Sequence, residues 1–169
     1  IQVLGGMYGV TDRDLARDTA EVLIRDKDGK ERIAKIANRT ILIKGKIALA
    51  LAPEGVRTST DKEHDRFHLK LLILCLSTAT RHLGEGLGKT HDERAVINTL
   101  KALLKVIGHD DARKISQMDA SVNWKRAIAP ELLEADRNLY PRLHRYIAHE
   151  VLTWIKSPRT HVSIPSKRK

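Results

Sequence analysis

Residues 60–82 read TDKEHDRFHLKLLILCLSTATRH, and no glycine or proline interrupts them. Thr60 followed by Glu63 has the form of a capping box, in which a hydroxyl and a carboxylate satisfy the free amides of a first helical turn. The middle of the stretch, LKLLILCLSTA (69–79), is apolar at nearly every angular position. A helix apolar all round belongs at the centre of a core. The spacing therefore predicts a central helix over 60–82, ended by Leu83-Gly84-Glu85-Gly86. Its one thiol, Cys75, is expected to be buried and inert.

Downstream of this helix the pattern stays helical. Thr90-His91-Asp92-Glu93 is a second capping box, opening a helix to about Val106. Its buried stripe is Val96, Leu100, Leu103, Leu104 and Ile107, and Gly108 stops it. A short helix is expected from Asp110 to Met118. Pro130 suits the first turn of a helix running to Leu139, and Pro141 opens a last helix over 141–156, closed by Ser157-Pro158.

Upstream the pattern changes. Residues 1–10 are short, apolar and glycine-broken, an edge strand or an ordered arm. Two readings compete for 12–36. One is a helix over 12–25, capped by Thr11; the other is a hairpin with arms Val22–Ile24 and Arg32–Ile36 around Asp26-Lys27-Asp28-Gly29. The helix is preferred. In ILIKGKIALAL (41–51) the residues Ile41, Ile43, Ile47, Leu49 and Leu51 share one parity, with Lys44 and Lys46 on the other. That alternation predicts strand over 40–51, with the lysines protecting its edge.

The fold class that follows is mainly α (α+β). A single domain spans 1–169: a mixed N-terminal part over 1–55 with a short β hairpin or strands, a helical bundle over 60–156 and a basic tail over 157–169.

Composition removes several function classes. An apolar content of 41% in 169 residues excludes disorder along the whole length. One cysteine excludes an internal disulfide and a cysteine zinc site, and with no secretory signal visible it points to an intracellular protein, cytoplasmic or in the nucleoid or nucleus. No stretch is long and apolar enough for a membrane span, so no membrane partner is expected. The first residue is Ile1, which points to a fragment or a processed chain.

The motifs that resemble chemistry are each better explained by helix ends and chance. Gly88-Lys89-Thr90 fits the end of a phosphate loop, but Leu83 stands where its first glycine is required. His64 and His68 share a helical face at metal-ligand spacing, without the glutamate of a metalloprotease site between them, and a third ligand would have to come from elsewhere, such as His82, His91 or His109. His91-Asp92 and His109-Asp110 fall at helix starts, where Asp is expected for capping. No Ser/His/Asp or Cys/His triad can be argued from spacing. The expectation is no cofactor, no metal and no catalytic residue; a metal-dependent nuclease or phosphohydrolase using His64 and His68 is the third-ranked reading.

Charge is the strongest signal. Lys and Arg number 31 against 21 Asp and Glu, a formal net charge of +10. Residues 139–169 hold seven of those cations and one acid, Glu150. On a helix over 141–156, Leu143, Ile147, Val151 and Trp154 or Ile155 form one stripe, while Arg142, Arg145, His149 and Lys156 form another. The expected partner is nucleic acid, DNA or RNA. Phosphates would be held by Arg142, Arg145, His149, Lys156, Arg159, Lys167, Arg168 and Lys169, with Tyr140 and Tyr146 offering rings for stacking. The competing expectation is a protein–protein module with an acidic partner, anchored by Trp124 or Trp154.

Overall fold

The computed structural model describes residues 8–17, 19–25 and 27–157. A short helix α1 (Asp12–Arg17) leads into a two-stranded antiparallel hairpin, β1 (Thr19–Arg25) and β2 (Glu31–Ala37), in which Leu23 faces Ile33 and Arg25 faces Glu31. The helix expected over 12–25 forms only over Asp12–Arg17, and the competing hairpin takes the rest. Val22, Leu23 and Ile24 are β-formers, and Gly29 at φ +76° supplies the turn that lets the chain reverse.

The remainder is helical. Helix α2 (Arg39–Ala50) overturns the strand expected over 40–51. Asn38 caps it, its side chain accepting from the Ile41 amide at 3.0 Å. Ile41, Ile43, Ile47 and Ala50 are buried from several sides of the turn, so the alternating isoleucines also fit a helix packed on more than one face. Lys44 and Lys46 are accordingly not strand-edge residues: Lys44 pairs with Asp14, and Lys46 with Asp65.

Helix α3 (Ser59–Thr90) is 32 residues long and runs past the expected stop at His82, through Gly84, Gly86 and Gly88. Its cap is Thr58, not Thr60, in a reciprocal capping box with Asp61. It is the hub: α2, the 3₁₀ turn Trp124–Ala127, α6 (Pro130–Leu133) and α4 (Glu93–Ile107) all pack on it. It is not enclosed, however. Phe67, Leu71, Leu74 and Cys75 face outward, contrary to a helix buried all round, and the thiol is exposed.

Asp92 rather than Thr90 caps α4, accepting from the Ala95 amide at 2.9 Å. Helix α5 (Asp110–Met118) follows as expected. The helix opened by Pro130 ends at Leu133, far short of Leu139. The last helix is continuous from α7 (Pro141–Tyr146) through a π turn (Ile147–Val151) to α8 (Leu152–Lys156). One core holds the bundle together, with Leu69, Ile73, Leu100, Ile107, Ile115, Leu132, Leu143 and Ile147 at its centre.

Three polar ties fix the packing. Asp65, 1% exposed, accepts from Lys46 at 2.7 Å and from Arg57 at 2.9 and 3.3 Å, binding α2 and the loop before α3 to α3. Burial pushes its carboxyl up, and the bonds from Lys46 and Arg57 together outweigh burial, leaving it below the ordinary carboxylate range. The Thr80 hydroxyl donates towards Ala127 and accepts from the Ala129 amide at 2.9 Å. Trp124 donates its indole N–H to the Ala112 carbonyl at 2.7 Å, so this tryptophan is a core residue and no interface anchor.

Candidate nucleic-acid interface

The last helix divides as its sequence pattern implies. Leu143, Ile147 and Val151 are 0–2% exposed, and Trp154 and Ile155 are half-buried against them. Arg142, Arg145, His149 and Lys156 are exposed on the opposite side. The π turn lies between the two arginines and Lys156; its i→i+5 bond runs from the Leu152 amide to the Ile147 carbonyl. Ala148, His149 and Glu150 are carried outward there while Ile147 and Val151 both stay buried.

The two tyrosines take different places. Tyr140 is only 8% exposed, its ring stacked 5.9 Å from the His91 ring and its hydroxyl directed at the Leu87 carbonyl. It closes the junction between α3 and α4 and offers no face to a base. Tyr146 is half-buried, with Lys101 of α4 5.7 Å above its ring. Burial, together with the Glu150 carboxylate, pushes the Tyr146 phenol up, so it stays a neutral donor. Arg159, Lys167, Arg168 and Lys169 lie outside the described residues.

Lys101 is a member of this surface that the C-terminal sequence alone does not reveal. The signal was present in α4, where Arg94, Lys101 and Lys105 recur at seven and four residues and are all exposed. Helices α4 and α7 pack together, and Glu93 of α4 accepts the Leu143 amide at 2.7 Å.

The acids decide where positive charge remains available. On the α2–α3 side, many of the cations are matched: Lys44 with Asp14, Lys46 and Arg57 with Asp65, Lys70 with Asp119 at 3.2 Å, Arg81 with Glu131 at 3.6 Å, while Arg39, Lys62 and Lys89 have no carboxylate partner among the described residues. Near the last helix three carboxylates are turned to backbone amides instead, and Glu150 lies exposed on the helix itself. Glu93 caps Leu143, Asp92 caps Ala95, and Asp136 accepts from Asn138 and Leu139. Arg142, Arg145 and Lys156 have no carboxylate partner among the described residues.

Other chemistry finds no assembled site among the described residues. Among the described residues no three His, Cys, Asp or Glu side chains come together in a way that would hold a metal ion, so His64 and His68 lack a third ligand. The segment resembling a phosphate loop is the end of α3, where helical bonding occupies the amides that would cradle phosphate. His109 caps α5 through Nδ1, which accepts from the Asp111 amide. No helix among the described residues is long and apolar enough to cross a membrane. A cleft of about 620 Å³ between α1–α2 and α4–α5 is mostly apolar, with the Lys44–Asp14 pair in its wall. No protein-family model matches the chain, and no curated protein or solved structure matches it significantly.

Proposed function

We propose that this chain binds nucleic acid through its phosphate backbone, using the exposed face of the last helix and the adjoining cations of α4. The observation that carries the reading is the unmatched charge of Arg142, Arg145 and Lys156 on a helix whose other side, Leu143, Ile147 and Val151, is buried. Arginine presents a planar fork of donors suited to phosphate. Lys101 over Tyr146 extends the same surface. Tyr140 takes no part, and the contacts are to phosphates more than to bases. Such a partner places the protein inside the cell.

Fluorescence anisotropy with labelled single- and double-stranded DNA and RNA tests this. Binding at about 50 mM salt should weaken steeply by about 200 mM, and Arg142→Ala/Arg145→Ala should reduce the salt slope by about 2, since each phosphate contact contributes about 0.9. The double variant Arg113→Ala/Lys114→Ala removes two cations already paired with Asp110 and Asp111, and should change the slope far less. Equal effects of the two double variants, or affinity weaker than about 100 µM for every oligomer, would reject the reading and favour an acidic protein as the partner.

A further inference from the structure

Helix α3 turns one apolar stripe away from the rest of the fold. Phe67, Leu71 and Leu74 are 54%, 44% and 59% exposed, and Cys75 and Thr78 continue the stripe. Their spacings of four, three, one and three residues keep them on one helical face. Glu63 and His64 lie exposed at one end, and Arg81, His82 and Glu85 at the other.

The stripe is complementary to its own reversal. About a point midway between Leu72 and Ile73, Leu71 maps onto Leu74, Phe67 onto Thr78, and Glu63 onto His82 beside Arg81. An antiparallel second copy thus sets leucine on leucine at the centre and Glu63 on Arg81 and His82 at both ends, where His82 also meets Glu85 of its own chain at 2.8 Å. A parallel copy would set Glu63 on Glu63 and Arg81 on Arg81. We infer that the outer face of α3 is a two-fold, antiparallel self-association surface, an isologous contact of the kind that closes a dimer. The inference stands without the nucleic-acid reading.

Area sets the strength. The exposed parts of these side chains amount to about 400 Å² per copy, a total near 800 Å² that falls below the standard interface and among weak, transient ones. The dimer should therefore dissociate in the micromolar range or above. Geometry constrains the thiols too. In this register the two Cys75 positions are offset by five residues, about 7.5 Å along the axis, across helices about 8–10 Å apart. That is too far for a disulfide, whose Cα atoms lie within about 7 Å, and within reach of a short bismaleimide.

Sedimentation velocity on the full chain, from about 5 to about 500 µM to bracket interfaces of this size, should show a monomer giving way to a dimer. Leu71→Glu/Leu74→Glu should weaken association at least tenfold while leaving the far-ultraviolet spectrum unchanged, since both leucines face solvent in the single chain. Glu63→Arg and Arg81→Glu should each weaken it, and the two together should recover it. Arg81 also reaches Glu131 of its own chain, but that loss is common to the single and double reversals. In the parent chain, which needs no substitution, Cys75 should be joined by a bismaleimide at high concentration and not by air oxidation. A monomer over the whole range, a dimer indifferent to the leucine changes, or no recovery in the charge swap would overturn the assignment.

Discussion

Replacing Asp65 with Asn is the sharpest probe of how the N-terminal part is held to the bundle. The carboxylate is 1% exposed and carries three hydrogen bonds from two cations. Removing one member of a buried ion pair costs about 3–5 kcal/mol. Lys46 and Arg57 keep 28% and 30% of their side chains exposed, so water can reclaim part of their solvation. The lower end of the range follows, about 3 kcal/mol. With a urea slope of about 2 kcal/mol per M, the midpoint should fall by about 1.5 M. Acid supplies the second arm. Because the folded carboxyl sits below its unfolded value near 3.9, its stabilisation is present above about pH 4 and is lost as pH falls towards the folded value. The gap between parent and variant should accordingly narrow from pH 6 to pH 3. A midpoint shift under about 0.5 M at pH 6, or a gap that does not change with pH, would refute the reasoning.

Thr80→Val should cost about 2–4 kcal/mol in urea unfolding, because it leaves the Ala129 amide and the Ala127 carbonyl buried without their hydroxyl partner. Trp124→Phe should cost about 0.5–1.5 kcal/mol for the lost bond to the Ala112 carbonyl and should remove the buried component of the fluorescence. Gly86→Ala and Gly88→Ala should each stabilise by about 0.5–1 kcal/mol, since an added methyl meets nothing within 4 Å at either place inside α3. The hydrogen bond from Lys44 holds the Asp14 carboxyl at about 2. In a carboxyl NMR titration, Lys44→Met should move its midpoint up towards the ordinary value, and the Asp14–Lys44 contribution in the parent should survive to lower pH than an unpaired aspartate would allow.

Much of the bundle was legible because its signals are local. Helix α5, the Gly108 stop, the Pro141 start and the buried series Leu143, Ile147 and Val151 follow from capping, breakers and period alone. What misled was ambiguity that only packing resolves. The isoleucines of 41–51 satisfy both period two and a helix packed on several sides, and the deciding clue was the small polar cap at Asn38. Gly84 and Gly86 near the end of α3 looked like a stop, yet the helix continues to Thr90, with α4 and α6 packed on it. The same blindness affected the candidate surface. Arg142, Arg145, His149 and Lys156 emerge exposed because their spacing marks one side of a helix. Tyr140 is withdrawn by a contact with His91, 49 residues earlier, which no local pattern encodes. Leu71 and Leu74 illustrate the converse, since apolar character says what a side chain prefers and not whether a neighbour exists to cover it.

The π turn in the last helix amounts to one residue more than a regular helix would use between Ile147 and Val151. Elsewhere in a helix, deleting a residue rotates everything beyond it by about 100° and pulls the buried side out of the core. Here the loss of Ala148 would only relax a wide turn into an ordinary one, with Leu143 and Val151 still facing inward. The last helix therefore carries a position at which its length can change without its interior noticing, and that position lies in the middle of its basic face. Insertions and deletions there are a route by which the spacing between Arg145 and Lys156 can be retuned while the scaffold stays the same.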